Sequence, residues 1–268
     1  MKNAFKYNVS LIEEDGWFGH VHHFFGGAFS MAYLEKCDIE PTYELFKKYG
    51  MKRGFAFWSG WRKTEPKSDG WWKYKYFFSR QYHHSTRSAF SVLDTPEYWK
   101  KWTSGPRGHR HKILRQVAEG IIEINMNASL EDFITAHRAT RNSTKIGPLF
   151  ITRQKFLCQH HPDSVRIFLA SVEGKPLAGA AFLDDGVTST YLIAFQHPLG
   201  KRYHLGLAII DRWFADSLGQ GFKYLDFDHM RDALDPSSYS GYTDFKSGVA
   251  DYELKFPTVF VKWFGKEK

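Results

Sequence analysis

The sequence has few cysteines and no long apolar run, and these absences limit the classes of protein it can belong to. Cys37 and Cys158 are its only cysteines, too few for a disulfide framework and without the spacing of a zinc site. We therefore expect a reducing, cytoplasmic environment. No segment approaches the roughly 18 apolar residues of a bilayer-spanning helix, and Met1–Tyr7 lacks the apolar core of a signal peptide. These observations predict a soluble cytoplasmic protein without a membrane span.

Aromatic residues and positive charge are what the chain has in excess. Of its 268 residues, 43% are hydrophobic and 18% aromatic, which predicts a folded chain of one large or two small domains. The net charge of +8 and the sequence pI near 9.3 indicate an anionic partner. Nucleic acid, nucleotide, a phosphate-bearing carrier and a membrane surface all remain open.

Residues 1–100 differ in composition from residues 101–268, and we place a domain boundary between them. The first region interleaves tryptophan with lysine, as in Lys73–Phe78. Such a pattern is compatible with RNA binding, because bases stack on aromatic rings while cations hold phosphates. The favoured interpretation is a packed aromatic core with solvated lysines.

Local patterns predict the elements of the first 141 residues. The predicted helices are Phe29–Lys36, Pro41–Tyr49, Pro96–Trp102, 110–119 and 129–141, with a break at Ser104-Gly-Pro106 and a cap at Ser129. The predicted strands are Gly54–Trp58 and Lys73–Phe77.

The stretch from Arg166 to Phe256 has the most informative order of elements. Three strands, Arg166–Val172, Leu177–Leu183 and Thr188–Phe195, precede a helix at about 204–218 and a strand at Tyr224–Asp228. An Asp-Gly turn between the second and third strands predicts a hairpin. This order predicts an α/β fold with an antiparallel meander, in which a phosphate-bearing ligand can lie at the start of the helix.

The loop before that helix contains Lys201, Arg202 and His204. A helix N-terminus and nearby cations suit a phosphate, which His204 could also contact. The alternative interpretation is a solvated turn with two surface cations.

Two further segments carry candidate catalytic groups. Asp226 and Asp228 share one face of their strand, where they are either an acid–base pair or structural caps of a loop. The segment Gly241–Val249 is interpreted as a glycine-flanked loop before an apolar strand, Tyr252–Val261, and it places Phe245 beside Lys246. This lysine either neutralises a phosphate or an oxyanion or is a surface residue.

Histidines occur in groups, at 20–23, His83-His84, His109-x-His111 and His160-His161. A zinc site needs about four convergent ligands, and only Cys158 lies close in sequence to any of these groups. We therefore predict no metal site.

Taken together, three segments resemble the Fem-type branch of the GNAT acyltransferase superfamily. They are Tyr98–Trp102 followed by Arg107, Arg110 and Arg115; Gly179–Phe195; and Leu225–Asp228 followed by Tyr242–Lys246. The resemblance covers about residues 96–262. It implies a GNAT-like, mixed but largely antiparallel sheet flanked by helices, with a reduced or degenerate GNAT-like N-terminal half.

The resemblance also implies an enzyme that transfers an acyl or aminoacyl group to an amine. Fem-type members take amino acids from aminoacyl-tRNA and attach them to peptidoglycan precursors. By the family pattern Lys246 lies in the active cleft and stabilises negative charge, Phe245 lines the same cleft, and the arginines from Arg107 to Arg115 form a basic surface. The chemistry of amine attack on a carbonyl then assigns Asp228 as a base or amine-orienting group. The same chemistry makes Tyr191 or Tyr242 the donor of a proton to the leaving group.

Neither donor is selected by the sequence. Acetyl-CoA-binding members usually carry Gln/Arg-x-x-Gly-x-Gly/Ala, whereas Arg202, Gly206 and Ala208 have one residue more after the arginine. Acyl-CoA and aminoacyl-tRNA both remain as co-substrates, with no tightly bound cofactor, and the amine acceptor is a cell-wall precursor or a small molecule. An alternative function is a catalytically inactive GNAT-like module that binds RNA or an anionic glycan precursor.

Overall fold

The computed structural model describes residues 9–14, 17–34, 37–60, 65–73, 87–140, 151, 154–155, 157–159, 162–230, 240–255 and 259–265. The chain divides into two compact units. The first comprises residues 1–87, 231–238 and 255–268, and the second comprises residues 88–230 and 239–254. No helix among the described residues combines the length and the apolar character needed to cross a bilayer.

The first unit is built on a sheet whose six described strands include one from the C-terminus. In chain order its elements are β1 (Val9–Glu14), β2 (Trp17–Phe24), β3 (Phe29–Leu34), α1 (Tyr43–Lys48), β4 (Gly54–Trp58), β5 (Trp71–Lys73) and β13 (Phe260–Phe264). The strand order is β1-β2-β3-β4-β13-β5, with β3 and β4 parallel. Helix α1 begins at the N-cap Thr42, whose hydroxyl accepts from Leu45 N, and Phe46 of this helix joins the buried core.

The structure confirms the strand at Gly54–Trp58 and a helix within Pro41–Tyr49, but the predicted helix Phe29–Lys36 is wrong. Residues 29–34 form β3, which pairs with strands on both sides. Five of its six residues are buried, so the strand lacks the polar alternation that would distinguish it from a helix. Of the predicted strand Lys73–Phe77, the structure describes only Lys73, in β5.

The second unit contains a larger sheet with helices on its two faces. Its elements are β6 (Arg87–Val92), α2 (Ser104–Ala118), β7 (Glu123–Asn125), α3 (Leu130–Ala139), β8 (Val165–Val172), β9 (Lys175–Asp185), β10 (Thr188–Gln196), α4 (Pro198–Arg202), α5 (Leu205–Gly219), β11 (Tyr224–His229), α6 (Ser240–Val249) and β12 (Tyr252–Lys255). The described strands are ordered β12-β6-β11-β10-β9-β8-β7. Strands β10 and β11 are parallel, and the β8–β9, β9–β10 and β6–β11 pairs are antiparallel. The predicted α/β fold, with a mixed and largely antiparallel sheet, is confirmed.

Alternation along the central strands creates a core on each face of this sheet. In β8, Phe168 and Ala170 point into the core that contains α5, whereas Ile167 and Leu169 pack with Phe133 of α3. Leu207, Ile210 and Phe214 recur at the helical period along α5 and are buried, and Leu218 packs partly buried against the same core. Helix α3 starts at the predicted cap, where Asp132 N donates to Ser129 Oγ over 3.0 Å.

Four other predictions need correction. Pro96–Trp102 forms only a short 3-10 turn at Tyr98–Lys101, and Ser104-Gly-Pro106 begins helix α2 instead of breaking it. Proline is tolerated there because the N–H groups of a first helical turn have no partner within the helix. The predicted loop Gly241–Val249 is helix α6, with Val249 fully buried. The predicted strand Tyr252–Val261 is two strands, β12 and β13, which belong to different sheets.

Candidate active site

The two parallel strands of the second unit separate part-way along their length. Strand β10 pairs with β11 from Thr188 to Thr190, opposite Tyr224 to Asp226. Both strands continue beyond this point, β10 to Gln196 and β11 to His229. The pairing of β10 with β9 is also irregular just after Tyr191. The separation therefore leaves one edge of β10 without a strand partner among the described residues beyond Thr190.

Lys246 lies beside the start of this separation. It projects from α6 and is only 7% exposed. Its Nζ lies 5.7 Å from the ring centroid of Tyr191 and 5.3 Å from that of Tyr242. Burial lowers the pKa of Lys246 to about 8, although the charges of Asp228 and Asp226 oppose this shift. The amine is therefore still about nine-tenths protonated at pH 7, and its charge is poorly hydrated.

The two aspartates are held by a bulge in β11. Leu225 and Phe227 are fully buried, while the alternating residues Asp226 and Asp228 are partly exposed. The backbone of Asp228 is left-handed, with φ of 58°, and its N–H donates to Asp226 Oδ1 over 2.7 Å. Ser88 Oγ on β6 lies 2.8 Å from both Asp226 Oδ1 and the Asp228 carbonyl oxygen. Hydrogen bonds thus hold the backbone that carries the two carboxylates. The negative charges of both carboxylates act on Lys246.

Tyr191 provides an aromatic wall. Its ring packs against Phe182, Trp213 and Phe227, with centroid separations of 5.8, 6.0 and 6.3 Å. Burial raises the pKa of Tyr191. The phenol therefore keeps its proton at neutral pH and can donate a hydrogen bond.

The sequence of the second unit identifies its family. Residues 108–247, more than half of the chain, match the family model described as an acetyltransferase (GNAT) domain. The chain belongs to the GNAT family. No curated protein matches the sequence significantly.

Solved structures extend the likeness of this GNAT protein to nearly its full length. FemX has a TM-score of 0.67 at 11% identity, over 95% of this chain and 87% of its own. The C-terminal domain of a putative lysylphosphatidylglycerol synthetase from Agrobacterium fabrum has a TM-score of 0.55 at 12% identity, over 97% and 84%. L-PGS from Bacillus licheniformis has a TM-score of 0.52 at 11% identity, over 94% and 82%. At these identities the likeness shows a Fem-like fold around the GNAT domain.

The structure brings only part of the predicted set together in this GNAT domain. Lys246, Tyr191, Tyr242 and Asp228 form one cluster. Phe245 is partly buried against the main core of the unit. The role of each of these residues stays a prediction, but their grouping gives the GNAT domain a charged and aromatic centre.

The predicted phosphate-binding residues lie elsewhere, around the start of α5. Lys201 and Arg202 are exposed on α4. His204 precedes α5 in a left-handed conformation, with φ of 55°, and its ring stacks on His109 with centroids 3.9 Å apart. Burial, and then the nearby His109 and Lys112, lower the pKa of His204. These groups surround the N-terminal turn of a helix that has no acidic residue in that turn.

The two arginines predicted to bind substrate differ in their surroundings. Arg107 is exposed, with its guanidinium 3.4 Å from the carbonyl oxygen of Lys100. Arg110 forms an ion pair with the buried Asp211 of α5, Nε to Oδ1 2.7 Å, and Asp211 also accepts from the Tyr98 hydroxyl over 2.8 Å. Arg110 thus links α2 to α5, a structural contact that sequence reasoning missed because the partners are about a hundred residues apart.

Sequence reasoning also missed Ser88, whose contacts depend on the pairing of β6 with β11 and leave no local signal.

The histidines form no metal site within the described part of the chain, where no three His, Cys, Asp or Glu side chains are grouped to hold an ion. His20 and His22 pack against each other and against Tyr33. The pairs His83-His84 and His160-His161 lie outside the described residues.

Proposed function

We propose that this protein transfers an acyl or aminoacyl group from an activated ester or thioester donor to an amine. The observation that carries the proposal is the nearly buried Lys246, which lies between two tyrosines and beside two aspartates where β10 and β11 separate. Membership of the GNAT family supports acyl transfer as the reaction class. The Fem-like fold supports aminoacyl transfer within that class.

In the proposed reaction a neutral amine attacks the donor carbonyl and forms a tetrahedral oxyanion. Collapse of this intermediate breaks the carbon–oxygen or carbon–sulfur bond, and the sugar hydroxyl or thiol leaves with a proton. The ammonium of Lys246 stabilises the oxyanion, and its poor hydration strengthens that interaction. Asp228 orients the attacking amine or accepts its proton, and Tyr191 or Tyr242 donates a proton to the leaving group.

The donor is proposed to be aminoacyl-tRNA or an acyl-CoA. Both carry phosphates, which suit the N-terminal turn of α5 with Lys201, Arg202 and His204 around it. The open edge of β10 offers backbone partners to an extended donor segment. The acceptor is proposed to be an amine on a cell-wall precursor or on a small molecule.

The first experiment is calorimetric titration with acetyl-CoA, a longer acyl-CoA, charged tRNA and uncharged tRNA at fixed salt. Salt must be fixed because nonspecific RNA binding to a basic protein falls steeply with ionic strength. Saturable binding of an acyl-CoA supports the CoA branch, and preference for charged over uncharged tRNA supports the aminoacyl branch. Binding of RNA or of an anionic glycan precursor without turnover supports the second candidate, an inactive GNAT-like module.

Lys246→Ala then tests the catalytic role, with Lys175→Ala on an exposed strand end as the matched control. We expect Lys246→Ala to lower turnover at least a hundredfold while donor binding persists, since one oxyanion contact contributes about that much. The control should behave as the wild type. Unchanged turnover in Lys246→Ala contradicts the assigned role.

A further inference from the structure

The bulge in β11 is where a regular sheet is modified to present Asp228. Phe90 of β6 pairs with Asp226, and Ser88 pairs with His229. Two residues of β11, Phe227 and Asp228, therefore lie opposite one residue of β6. Such bulges bend a strand and turn a side chain in a new direction, and they often lie next to active sites.

The bulge requires an unfavourable backbone conformation. Asp228 has φ of 58°, in the left-handed region, which aspartate adopts more readily than most residues but less readily than glycine. Residues in such conformations persist when their surroundings stabilise them. The stabilising contacts here are the Asp228 N–H bond to Asp226 Oδ1 and the hydroxyl of Ser88.

The side chain of Ser88 contacts both ends of this turn. Its Oγ is 2.8 Å from Asp226 Oδ1 and 2.8 Å from the Asp228 carbonyl oxygen, so a single hydroxyl proton serves two acceptors. Ser88 is 4% exposed, which excludes bulk water as a ready substitute for it. Alanine at this position would remove the donor from both acceptors, at a cost that favours rearrangement of the bulge.

We propose that Ser88 is a positioning residue, which fixes the β11 bulge and so keeps the Asp228 carboxylate in its place beside Lys246. The catalytic importance of this position rests on the proposed function, whereas the positioning itself can be tested without turnover. Among the described residues, the charged side chains that act on the amine include Asp226 and Asp228 from β11, and the phenol rings near it include Tyr191 from β10 and Tyr242 from its own helix. Of the two aspartates, Asp228 raises the pKa of Lys246 more.

The test is the protonation of Lys246, measured without any substrate. In protein labelled with 13C at lysine Cε, the Lys246 resonance is assigned by its loss in Lys246→Arg and followed by NMR from pH 6 to 11. Ser88→Ala should lower the pKa of Lys246 by roughly half a unit or more, because a displaced Asp228 attracts the ammonium less. Ser88→Thr keeps the hydroxyl and should restore the wild-type value.

Ser91→Ala is the matched control. Ser91 is a fully buried serine on the same strand, and its hydroxyl accepts from Asp251 N over 3.3 Å. We expect no change in the Lys246 titration there. Should Ser88→Ala fail to fold, Ser88→Cys replaces it, since a thiol is a weak donor.

A folded Ser88→Ala or Ser88→Cys variant with an unchanged Lys246 titration overturns the proposal. Where turnover is found, the alkaline limb of its pH profile should move in parallel with the NMR titration. If no donor supports turnover but the titration moves as expected, the positioning role stands and the proposed function fails. If the titration is unchanged while turnover is normal, the proposed function stands and the positioning role fails.

Discussion

Replacing Lys246 by methionine should make the protein more stable and catalytically inactive. Methionine keeps a flexible apolar chain of similar length but removes the charge. The lysine is 7% exposed, and burial lowers its pKa from 10.5 to about 8. This difference of about 2.5 in pKa means that, relative to the neutral amine, the charged amine is about 3 kcal/mol less favourable in the folded chain than in the unfolded chain. The attraction of Asp226 and Asp228 is already contained in that value.

The pH dependence gives the prediction its sign. Because the pKa of Lys246 is lower in the folded chain, the unfolded chain binds more protons between about pH 8 and pH 10.5. Loss of the Lys246 proton therefore raises the free energy of unfolding of the wild type as pH rises through that window. Below about pH 8 the full cost of the buried charge is present. The advantage of Lys246→Met should consequently be greatest at pH 7 and should shrink toward pH 10.5.

Urea unfolding at pH 7 and at pH 9.5 measures both quantities. Lys201→Met, on the exposed surface of α4, is the control and should change the unfolding free energy by less than about 0.5 kcal/mol. A Lys246→Met protein no more stable than the wild type at pH 7 would falsify the reasoning. So would a stability gain that stays constant with pH, because it would then come from packing and not from charge.

Three other outcomes are expected from the same structure. Turnover should fall above about pH 8 as Lys246 loses its proton, and Lys246→Arg should remove that limb from the pH profile because arginine stays charged. Asp211→Ala should lower the unfolding free energy by about 3 kcal/mol, measured in urea, because it leaves the Arg110 guanidinium without its buried partner. Gly179→Ala should cost about 1–3 kcal/mol in the same assay, since its Cβ would lie 2.5 Å from the ring of Phe195; an unchanged midpoint would contradict the packing.

The meander, the helix after it and β11 could be predicted because their signals are local. An Asp-Gly turn lies between β9 and β10, and the apolar stripe of α5 follows the helical period. Helix α6 could not be predicted in this way. Gly241 and Gly248 give its segment a low helical propensity, and packing of Val249 and Phe245 against the core of the unit overrides that preference.

The residue types of the candidate site could be predicted from the sequence, but the contacts that hold them in place could not. Lys246 was selected by the family resemblance, and Asp228 and the tyrosines by the chemistry of amine attack; the structure places them together. Ser88 lies 138 residues before Asp226 along the chain, and only strand pairing makes them neighbours. For the same reason the sequence did not predict the place of β13, a C-terminal strand that lies between β4 and β5 in the sheet of the first unit.

Three departures from ordinary folding preferences in the second unit lie close together, and their proximity is an argument for function. Lys246 is buried, Asp228 has a left-handed backbone, and the pairing of β10 with β11 ends at Thr190. The buried lysine lowers stability, and a chain selected only for stability would replace it. Where a chain departs from consistency between local preference and fold, functional sites are the places where such departures are expected. The gain in stability expected for Lys246→Met is therefore the measurable counterpart of the catalytic role proposed for that lysine.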